Sequence, residues 1–316
     1  MKTLSLIVPC YNEQEVLPLF YKETMMVLNK LRDNYQPELV FVDDGSSDKT
    51  LEILKMLASR DPSVKYISFS RNFGKEAAML AGMEYAVHAD YIGIMDADLQ
   101  HSPTLLPEML RYVEEEGYDV AAARRDDRAG ENAFKSRLSD LFYKMINKVS
   151  DTRIMESAQD FRIMKRKVVR SILDMPENNR FSKGIFSWVG FNVRWISHEN
   201  RERAAGETKW SITKLFKYAI DGILGFTSAP LRISFFCSAA FALFSFCALI
   251  YALIRNLANN AYSCTMPLLL AAMFFIGAVI LACIGVMGEY LARIYTEAKD
   301  RPKYIISQTN TGLTAD

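Results

Sequence analysis

The sequence predicts an open α/β fold with a mostly parallel sheet, followed by two transmembrane helices. Over roughly the first 125 residues, short β-rich runs alternate with amphipathic stretches, the pattern of parallel strands joined by crossover helices. Charged residues are dense as far as Arg232 and nearly absent from residues 233–288. Two segments of that stretch are long and apolar enough to cross a bilayer.

Five strands and four helices are expected in the first half of the chain. The strands are predicted at residues 4–8, 38–42, 64–69, 91–95 and 119–123. Apolar residues at three- and four-residue intervals predict helices at residues 13–31, 47–60, 75–87 and 103–116. Ser47 or Asp48 is expected to cap the second helix, and Ser102 with Pro103 to open the fourth. Such sheets bind ligands at the carboxyl ends of their strands.

Beyond the fifth strand the alternation loosens. A basic segment covers residues 124–148, and a sixth strand is predicted near residues 160–164. Residues 211–228 place apolar side chains on one helical face, which suits a helix in the membrane interface or an ordinary core-facing helix. Their position directly before an apolar span favours the interfacial alternative.

The two predicted spans are residues 233–254 and 266–288. The first carries no charge and would measure about 33 Å as a helix. Basic residues flank the pair on both sides, whereas Arg255 stands alone near the connecting loop, which predicts that both termini are cytoplasmic. The predicted organisation is a cytoplasmic α/β domain at 1–210, an interfacial helix at 211–230, a two-helix membrane domain at 231–292 and a cytoplasmic tail at 293–316. The last ten residues are expected to be frayed.

Composition excludes several other classes of protein. Net charge is +1, from 38 basic and 37 acidic residues, so no overall field would attract nucleic acid. The five cysteines show neither a metal-ligand spacing nor a disulfide framework. The first apolar run is too short for a signal peptide, so it is assigned to a strand and the first domain to the cytoplasm.

Polar motifs follow the first two strands, where an open sheet binds ligands. VPCYNE occupies residues 8–13 and VDDGS residues 42–46. Carboxylates there can accept hydrogen bonds from a ribose or a base edge, and a tyrosine can stack on the base. Acidic residues after strands are also common turn formers and caps, so neither motif decides the function alone.

A third motif, with Asp96, Asp98 and Gln100 at alternate positions, follows the fourth strand. Two carboxylates and an amide so placed can bind one divalent cation, which bridges the phosphates of a nucleotide diphosphate. Mg²⁺ or Mn²⁺ suits this oxygen set. Neither GxGxxG nor GxxxxGK[ST] is present, which argues against a dinucleotide-dependent oxidoreductase and a P-loop ATPase or GTPase.

The ordered motifs VPCYNE, VDDGSSD, RNFGKEAA and DADLQHSP resemble those of the family 2 glycosyltransferases, which have the Rossmann-like GT-A fold. SAQDFRIM, ENNRFSKGIFSWVGF and RERAAGETKWS, with two following spans, look like the polyprenyl-phosphate branch, particularly the bacterial bactoprenol glucosyltransferases. Dolichyl-phosphate mannose synthases are more distantly similar. Over residues 4–295 the resemblance implies inverting transfer of a hexose, glucose from UDP-glucose, onto undecaprenyl phosphate at the cytoplasmic membrane face, by a homo-oligomer.

The resemblance also implies site residues, carried over position by position. Metal ligands would be Asp96, Asp98 and Gln100. Nucleotide contacts would come from Pro9, Tyr11, Asn12, Glu13, Val42, Asp44, Lys75 and Ala97. Arg124 and Arg137 would face the lipid phosphate, and Arg203 and Lys209 would close over the anionic centre. Catalytic roles would fall to Asp98, Asp160 and Arg203.

Two assignments keep alternatives. Arg124 and Arg125 both stand where the family usually has a Gly-rich turn, so either can meet the phosphate, for which guanidinium forks are suited; a solvated surface patch is the other explanation. Asp160 matches the acidic residue near the reacting carbon of the sugar. Because a phosphate monoester is mostly dianionic at neutral pH, Asp160 orients or deprotonates the acceptor, or is a buried structural carboxylate.

Three rival functions remain to be compared. A processive polysaccharide synthase would carry QxxRW, but Phe191 stands where glutamine is needed before Arg194 and Trp195. A non-catalytic membrane scaffold would have no need for a complete metal set. The same transfer with GDP-mannose or UDP-N-acetylglucosamine as donor differs by contacts that the sequence does not place.

Overall fold

The computed structural model describes residues 1–125, 147, 155, 158–178, 180–198 and 265–313, with isolated positions between 236 and 254. Its strands are β1 (Lys2–Cys10), β2 (Tyr35–Asp43), β3 (Val64–Phe69), β4 (Tyr91–Ile94), β5 (Val120–Arg125), β6 (Ala158–Lys165), β7 (Val193–His198) and β8 (Ile306–Thr309). Its helices are α1 (Leu17–Leu31), α2 (Thr50–Arg60), α3 (Lys75–Ala86), α4 (Leu106–Glu114), α5 (Arg166–Leu173), α6 (Ser182–Trp188) and α7 (Thr265–Ala298), with a 3₁₀ turn at Pro103–Leu105. All six predicted strands and four predicted helices of the first half are present.

The strands form one mixed sheet in the order β7-β5-β6-β4-β1-β2-β3-β8. Four of the seven pairings are parallel, as the alternating pattern predicted. β6 lies between β4 and β5 and runs against both, and β8 runs against β3. The predicted α/β class is therefore confirmed, with a mixed sheet.

Both faces of the sheet are covered by helices. Phe20 of α1 and Leu54 of α2 belong to the hydrophobic cluster on one face, and Met79 of α3 and Val169 of α5 belong to the cluster on the other. Strands buried on both faces are apolar along their whole length. Polar side chains are consequently concentrated in the loops at the strand ends.

The predicted cap of α2 was wrong in position. Lys49 is the N-cap residue, without a side-chain cap hydrogen bond. Asp48 instead accepts hydrogen bonds from Thr50 N at 3.0 Å and Gln14 N at 3.2 Å. It therefore links this loop to the one after β1. The predicted cap at Ser102 is confirmed, since its side chain accepts from Thr104 N at the start of the 3₁₀ turn.

The described part of the tail, residues 306–313, lies on the sheet, so the prediction of fraying was wrong for residues 307–313. β8 completes the edge beside β3, and Asn310 reinforces it by accepting from Tyr66 N at 2.7 Å. The Tyr304 ring stacks on Phe69 with centroids 5.0 Å apart. An uncovered edge strand leaves unpaired backbone groups, and this short polar strand satisfies those of β3.

α7 is the one helix within the described ranges that is long and apolar enough to cross a membrane. Within Ala272–Ala298 its most apolar stretch of 18 residues has a mean hydropathy of 2.1, and none of that stretch is buried in the protein. α7 contains the predicted span at 266–288. The predicted span at 233–254 lies outside the described residues except for isolated helical positions, and the predicted interfacial helix at 211–228 lies wholly outside them.

Candidate active site

The loops after β1 and β2 are hydrogen-bonded to each other at the carboxyl ends of these neighbouring strands. Asn12 Oδ1 accepts from Ser47 N at 2.8 Å, and Ser46 Oγ accepts from Asn12 N at 2.9 Å. Thr50 Oγ1 accepts from Glu13 N at 2.8 Å. Asn12 has a φ of 53°, which asparagine tolerates better than most residues. These contacts fix the backbone of the two loops, which we call the wall. We call the wall together with the loop after β4 the strand-end cleft.

Asp44 fastens this wall to the loop before α3. Its carboxylate accepts from Phe73 N at 2.6 Å and Gly74 N at 2.9 Å and is nearly inaccessible. Burial raises the pKa of Asp44 to about 6, against the two amide hydrogen bonds that lower it. Gly45, with a φ of +65°, lies so close to Arg71 that a Cβ would collide with the arginine's carbonyl group. Only glycine fits there.

Three predicted nucleotide contacts line up along the same wall. Tyr11 is 37% exposed in the loop after β1, where its ring can stack on a base. Pro9 lies beside Val42 in the register of β1 and β2. Val42 is fully buried, so a ligand can reach only its backbone.

The loop after β4 has the predicted alternation. Ala97 and Leu99 are each 3% exposed, whereas Asp96, Asp98 and Gln100 are partly exposed. Leu99 has a φ of 57°, and Asp98 Oδ1 accepts from Gln100 N at 3.1 Å. The three predicted oxygen ligands are therefore the partly exposed members of this loop, and the apolar residues between them are buried. A nucleotide can contact Ala97 through its backbone.

Lys75, at the start of α3, joins this loop to β6. Its ammonium lies 2.6 Å from Asp96 Oδ1 and 2.5 Å from Asp160 Oδ2. The Lys75 side chain is 35% exposed and that of Asp160 is 15% exposed. The lysine predicted as a nucleotide contact is thus the bridge between the predicted metal loop and the predicted acceptor-side carboxylate.

Asp160 is held ionised. Burial opposes its charge, but the Lys75 ammonium, with Lys183 and Arg162, outweighs burial and lowers the pKa of Asp160 well below its usual range. Within the described part of the chain its Oδ1 atom is buried without a hydrogen-bond partner. A carboxylate with so low a pKa is a poor proton acceptor near pH 7, and its unused oxygen is available to orient a ligand.

Two buried groups beside this centre were not predicted. Glu76 accepts from Ser182 N at 3.1 Å and Ser182 Oγ at 3.0 Å, and burial raises its pKa to about 7. His101 is 5% exposed, and burial lowers its pKa to about 4. Both directly follow predicted site residues, but only the structure shows that their side chains turn inward.

The predicted phosphate-binding residues fall partly outside the described ranges. Arg124 lies at the end of β5 and pairs with Ala158 of β6, which precedes Asp160 by two residues. Its side chain donates to Ser197 Oγ at 3.0 Å. Arg124 is thus at the same sheet edge as the site. Arg137, Arg203 and Lys209 lie outside the described residues, as does the side chain of Arg125.

The donor chemistry of the site fits a divalent cation. Within the described ranges, no three His, Cys, Asp or Glu side chains converge at metal-binding distances. The predicted set of two carboxylates and one amide nevertheless supplies the hard oxygens that Mg²⁺ and Mn²⁺ prefer. The Lys75 ammonium on Asp96 shows that this carboxylate faces positive charge, and Asp96, Asp98 and Gln100 are the residues that would hold the metal.

Comparison with known proteins gives two family matches. The model of glycosyl transferase family 2 matches residues 5–173, which include the strand-end cleft, Lys75 and Asp160. The GtrB C-terminal hairpin model matches residues 229–294.

Relatives match nearly the whole chain. The SfII prophage-derived bactoprenol glucosyl transferase of Shigella flexneri is 40% identical over 98% of this chain and 99% of its own. The prophage bactoprenol glucosyl transferase homolog of Escherichia coli (strain K12) is 40% identical over 96% of this chain and 98% of its own. Among solved structures, glucosyl-3-phosphoglycerate synthase from Mycobacterium tuberculosis is 18% identical, with a TM-score of 0.47 over 71% of this chain and 78% of that one.

Proposed function

The chain belongs to glycosyl transferase family 2, and on that premise we propose that this glycosyltransferase moves glucose from UDP-glucose to a polyprenyl phosphate at the cytoplasmic membrane face. One observation carries the proposal. Relatives named bactoprenol glucosyl transferase are about 40% identical over 96–98% of this chain. The similarity therefore includes both the site and the C-terminal hairpin region.

The donor binds in the strand-end cleft. Tyr11 stacks on the base, and the rigid backbone after β1 and β2 shapes the pocket for the ribose. Asp96, Asp98 and Gln100 would hold the divalent cation, Mg²⁺ or Mn²⁺, which would supply charge stabilisation to the leaving diphosphate. The family resemblance assigns Arg203 and Lys209 to the same diphosphate, where their positive charge would add to that of the cation.

The acceptor phosphate approaches from the side of Asp160. In a direct displacement, a phosphate oxygen forms the new bond to the anomeric carbon while the bond to the diphosphate breaks, which inverts the configuration. The phosphate monoester is already mostly ionised at neutral pH. Asp160, kept ionised by Lys75, therefore orients the sugar and acceptor and needs to take no proton.

Glucose must be distinguished from other sugars by experiment. Membranes containing the full chain, incubated with undecaprenyl phosphate and radiolabelled UDP-glucose, GDP-mannose or UDP-N-acetylglucosamine, should form a labelled lipid with UDP-glucose. Membranes without the chain are the control. A labelled lipid with another donor alone would replace glucose in the proposal, and none with any donor would contradict lipid glycosylation.

The structure gives no support to a processive synthase. Arg194, the arginine of the incomplete QxxRW pattern, stacks over Tyr112 with its guanidinium 4.9 Å from the ring centre. An arginine packed on that surface is not available to the cleft. A non-catalytic scaffold would have no need for the ion pairs that Lys75 forms with Asp96 and Asp160.

The position of β8 supports a two-span topology. Because residues 306–309 lie in the same sheet as the N-terminal strands, both ends of the chain must be on one side of any membrane. If α7 crosses the bilayer, the chain must cross again between residues 199 and 264. The hairpin match at 229–294 and the contact of Phe241 with Phe275, at 4.8 Å between ring centroids, support a first span at 233–254.

A reporter fused after residue 316 is accordingly expected to report the same, cytoplasmic side as one at the N-terminus. Cysteine labelling of intact cells checks the fusions, with a cysteine near Arg255 expected on the opposite side. A periplasmic C-terminus would contradict the topology, and it would also require β8 to leave the sheet.

Arg137→Ala is expected to raise the apparent KM for undecaprenyl phosphate, or lower turnover, roughly ten- to hundredfold, because charge-assisted contacts contribute about 1.5–3 kcal/mol. The dissociation constant for UDP should stay within about threefold. Transfer assays across lipid concentrations and calorimetry with UDP measure both, with Arg60→Ala on exposed α2 as the control. Collapse of UDP binding with unchanged lipid dependence would assign Arg137 to the donor side.

A further inference from the structure

A cavity of about 290 Å³ lies between α6 and the sheet, next to Asp160 but apart from the strand-end cleft. Most of the residues that line it are apolar, from strands β5 to β7 and helices α5 and α6, among them Met164, Val168, Phe186 and Trp195, and polar groups contribute nearly half of the lining surface. Two cationic side chains, Arg162 and Lys183, also line it. The cavity therefore combines apolar side chains with positive charge, which suits an amphiphilic anion.

The two cations differ in what they are free to do. Arg162 is buried, stacks on Phe186 with its guanidinium 3.6 Å from the ring centre, and donates to Gln159 O at 2.7 Å and Asp160 O at 3.2 Å. Its hydrogen bonds serve the structure. Lys183 is partly exposed and forms no ion pair with any residue that the structure describes. Its ammonium is the cation available to a ligand.

Lys183 also faces the reaction centre. Its charge helps to lower the pKa of Asp160, so the ammonium lies within electrostatic reach of that carboxylate. Ala158, two residues before Asp160 on β6, lines the same cavity. A phosphate held by Lys183 would thus be close to the acceptor side of the site, with the apolar walls directly behind it.

The cavity also lies on the side of the protein that contacts the membrane helix. Asn178, shortly before α6, donates from N at 2.9 Å and from Nδ2 at 3.0 Å to Glu297 in the last turn of α7. At the other end of α6, Trp188 is 59% exposed, and tryptophan favours the membrane–water interface. The segment that leads into α6 therefore contacts the end of α7.

We infer that Lys183 and the cavity under α6 bind the phosphate end of the acceptor lipid, the ammonium holding the phosphate and the apolar walls holding the first isoprene units. This inference rests on the proposed function. The volume is at the lower end of about 300–1,000 Å³ for small-ligand pockets, so the cavity takes the start of the chain and leaves the remainder in the bilayer. We assign the nucleotide to the strand-end cleft instead, where Tyr11 is exposed to stack on a base.

The test uses the full chain in detergent with UDP-glucose and undecaprenyl phosphate. Lys183→Ala is expected to raise the apparent KM for the lipid roughly ten- to hundredfold, with the dissociation constant for UDP within about threefold. Lys183→Arg should recover most of the loss. Lys55→Ala, which removes an exposed lysine from α2, is the matched control.

Filling the cavity provides an independent second measurement. Ser187→Phe should raise the lipid KM about tenfold or more without changing UDP binding, whereas Ser187→Ala, which removes only the hydroxyl, should stay near the wild type. Farnesyl phosphate should compete with the lipid more strongly than inorganic phosphate, and Ser187→Phe should remove that difference.

The outcomes separate this inference from the proposed function. If the wild type glycosylates undecaprenyl phosphate while Lys183→Ala and Ser187→Phe leave the lipid KM unchanged, the inference is wrong and the function stands. Equal loss of UDP binding in Lys183→Ala would place Lys183 on the donor side and overturn it as well. If the wild type glycosylates no polyprenyl phosphate, the proposed function fails, and the inference with it.

Discussion

Asp98→Ala and Asp98→Asn are each expected to lower kcat for sugar transfer by on the order of 10³-fold or more. Each substitution removes a charged oxygen ligand from the set of Asp96, Asp98 and Gln100. A bound cation contributes several kcal/mol of charge stabilisation in the transition state, and about 1.4 kcal/mol corresponds to a tenfold change in rate. Transfer of radiolabelled glucose at saturating donor and lipid, with added Mg²⁺ or Mn²⁺, measures the effect.

The Asp98→Asn variant separates loss of metal binding from loss of structure. Its side-chain amide keeps an oxygen that can accept from Gln100 N, as Asp98 Oδ1 does at 3.1 Å, so the melting temperature should stay within about 2 °C of the wild type. Asp33→Asn, at an exposed position after α1, should leave activity unchanged. EDTA should reproduce the loss in the wild type. Full turnover in rigorously metal-free buffer would refute the metal assignment.

The local parts of this site could be predicted because they are periodic. Polar Asp96, Asp98 and Gln100 alternate with apolar Ala97 and Leu99 in the sequence, and the same residues alternate between partly exposed and buried in a loop that turns at Leu99. The same local logic gives the first six strands, whose apolar runs were long enough to stand out. The resemblance of the motifs to those of the family then indicated which strand ends carry the site.

The parts that could not be predicted depend on contacts between distant segments. Nothing near Lys75 in the sequence indicates that its ammonium would bridge Asp96 and Asp160. β8 has only four residues, and its pairing with β3 joins positions more than 200 residues apart. Its polar composition is typical of a disordered tail. An edge strand can have this composition because its pairing depends on backbone hydrogen bonds rather than on apolar side chains.

The charge arrangement limits what Asp160 can do in the reaction. A general base works best with a pKa near the working pH, and Lys75 moves the pKa of Asp160 in the opposite direction. Glu76, with a pKa raised to about 7, has a value nearer to that of a base. Its oxygens accept from Ser182 at the start of α6, so it holds the segment that carries Lys183.

Lys75→Met is expected to lower kcat by on the order of 10²- to 10³-fold, because it removes the charge that orients Asp160 beside the reacting groups. It should also destabilise the protein by about 1–3 kcal/mol. Breaking a buried ion pair usually costs more, but Lys75 is 35% exposed and water screens part of the loss. Thermal unfolding and single-turnover transfer, with Lys75→Arg as the charge-conserving control, measure the two effects.

The pH dependence of stability tests the cause. In the wild type the pKa of Asp160 is lowered, so its contribution is present above the unfolded value of about 3.9 and is lost as pH falls through the folded pKa. Without Lys75 the largest charge that opposes burial is gone, so the pKa of Asp160 should rise toward its usual range, and the loss of stability on acidification below about pH 4 should be smaller than in the wild type. Adding Asp160→Asn removes the unpaired carboxylate and should restore stability, with no recovery of transfer. If Lys75→Met keeps the wild-type pH profile, the bridge between Asp96 and Asp160 does not hold the site together.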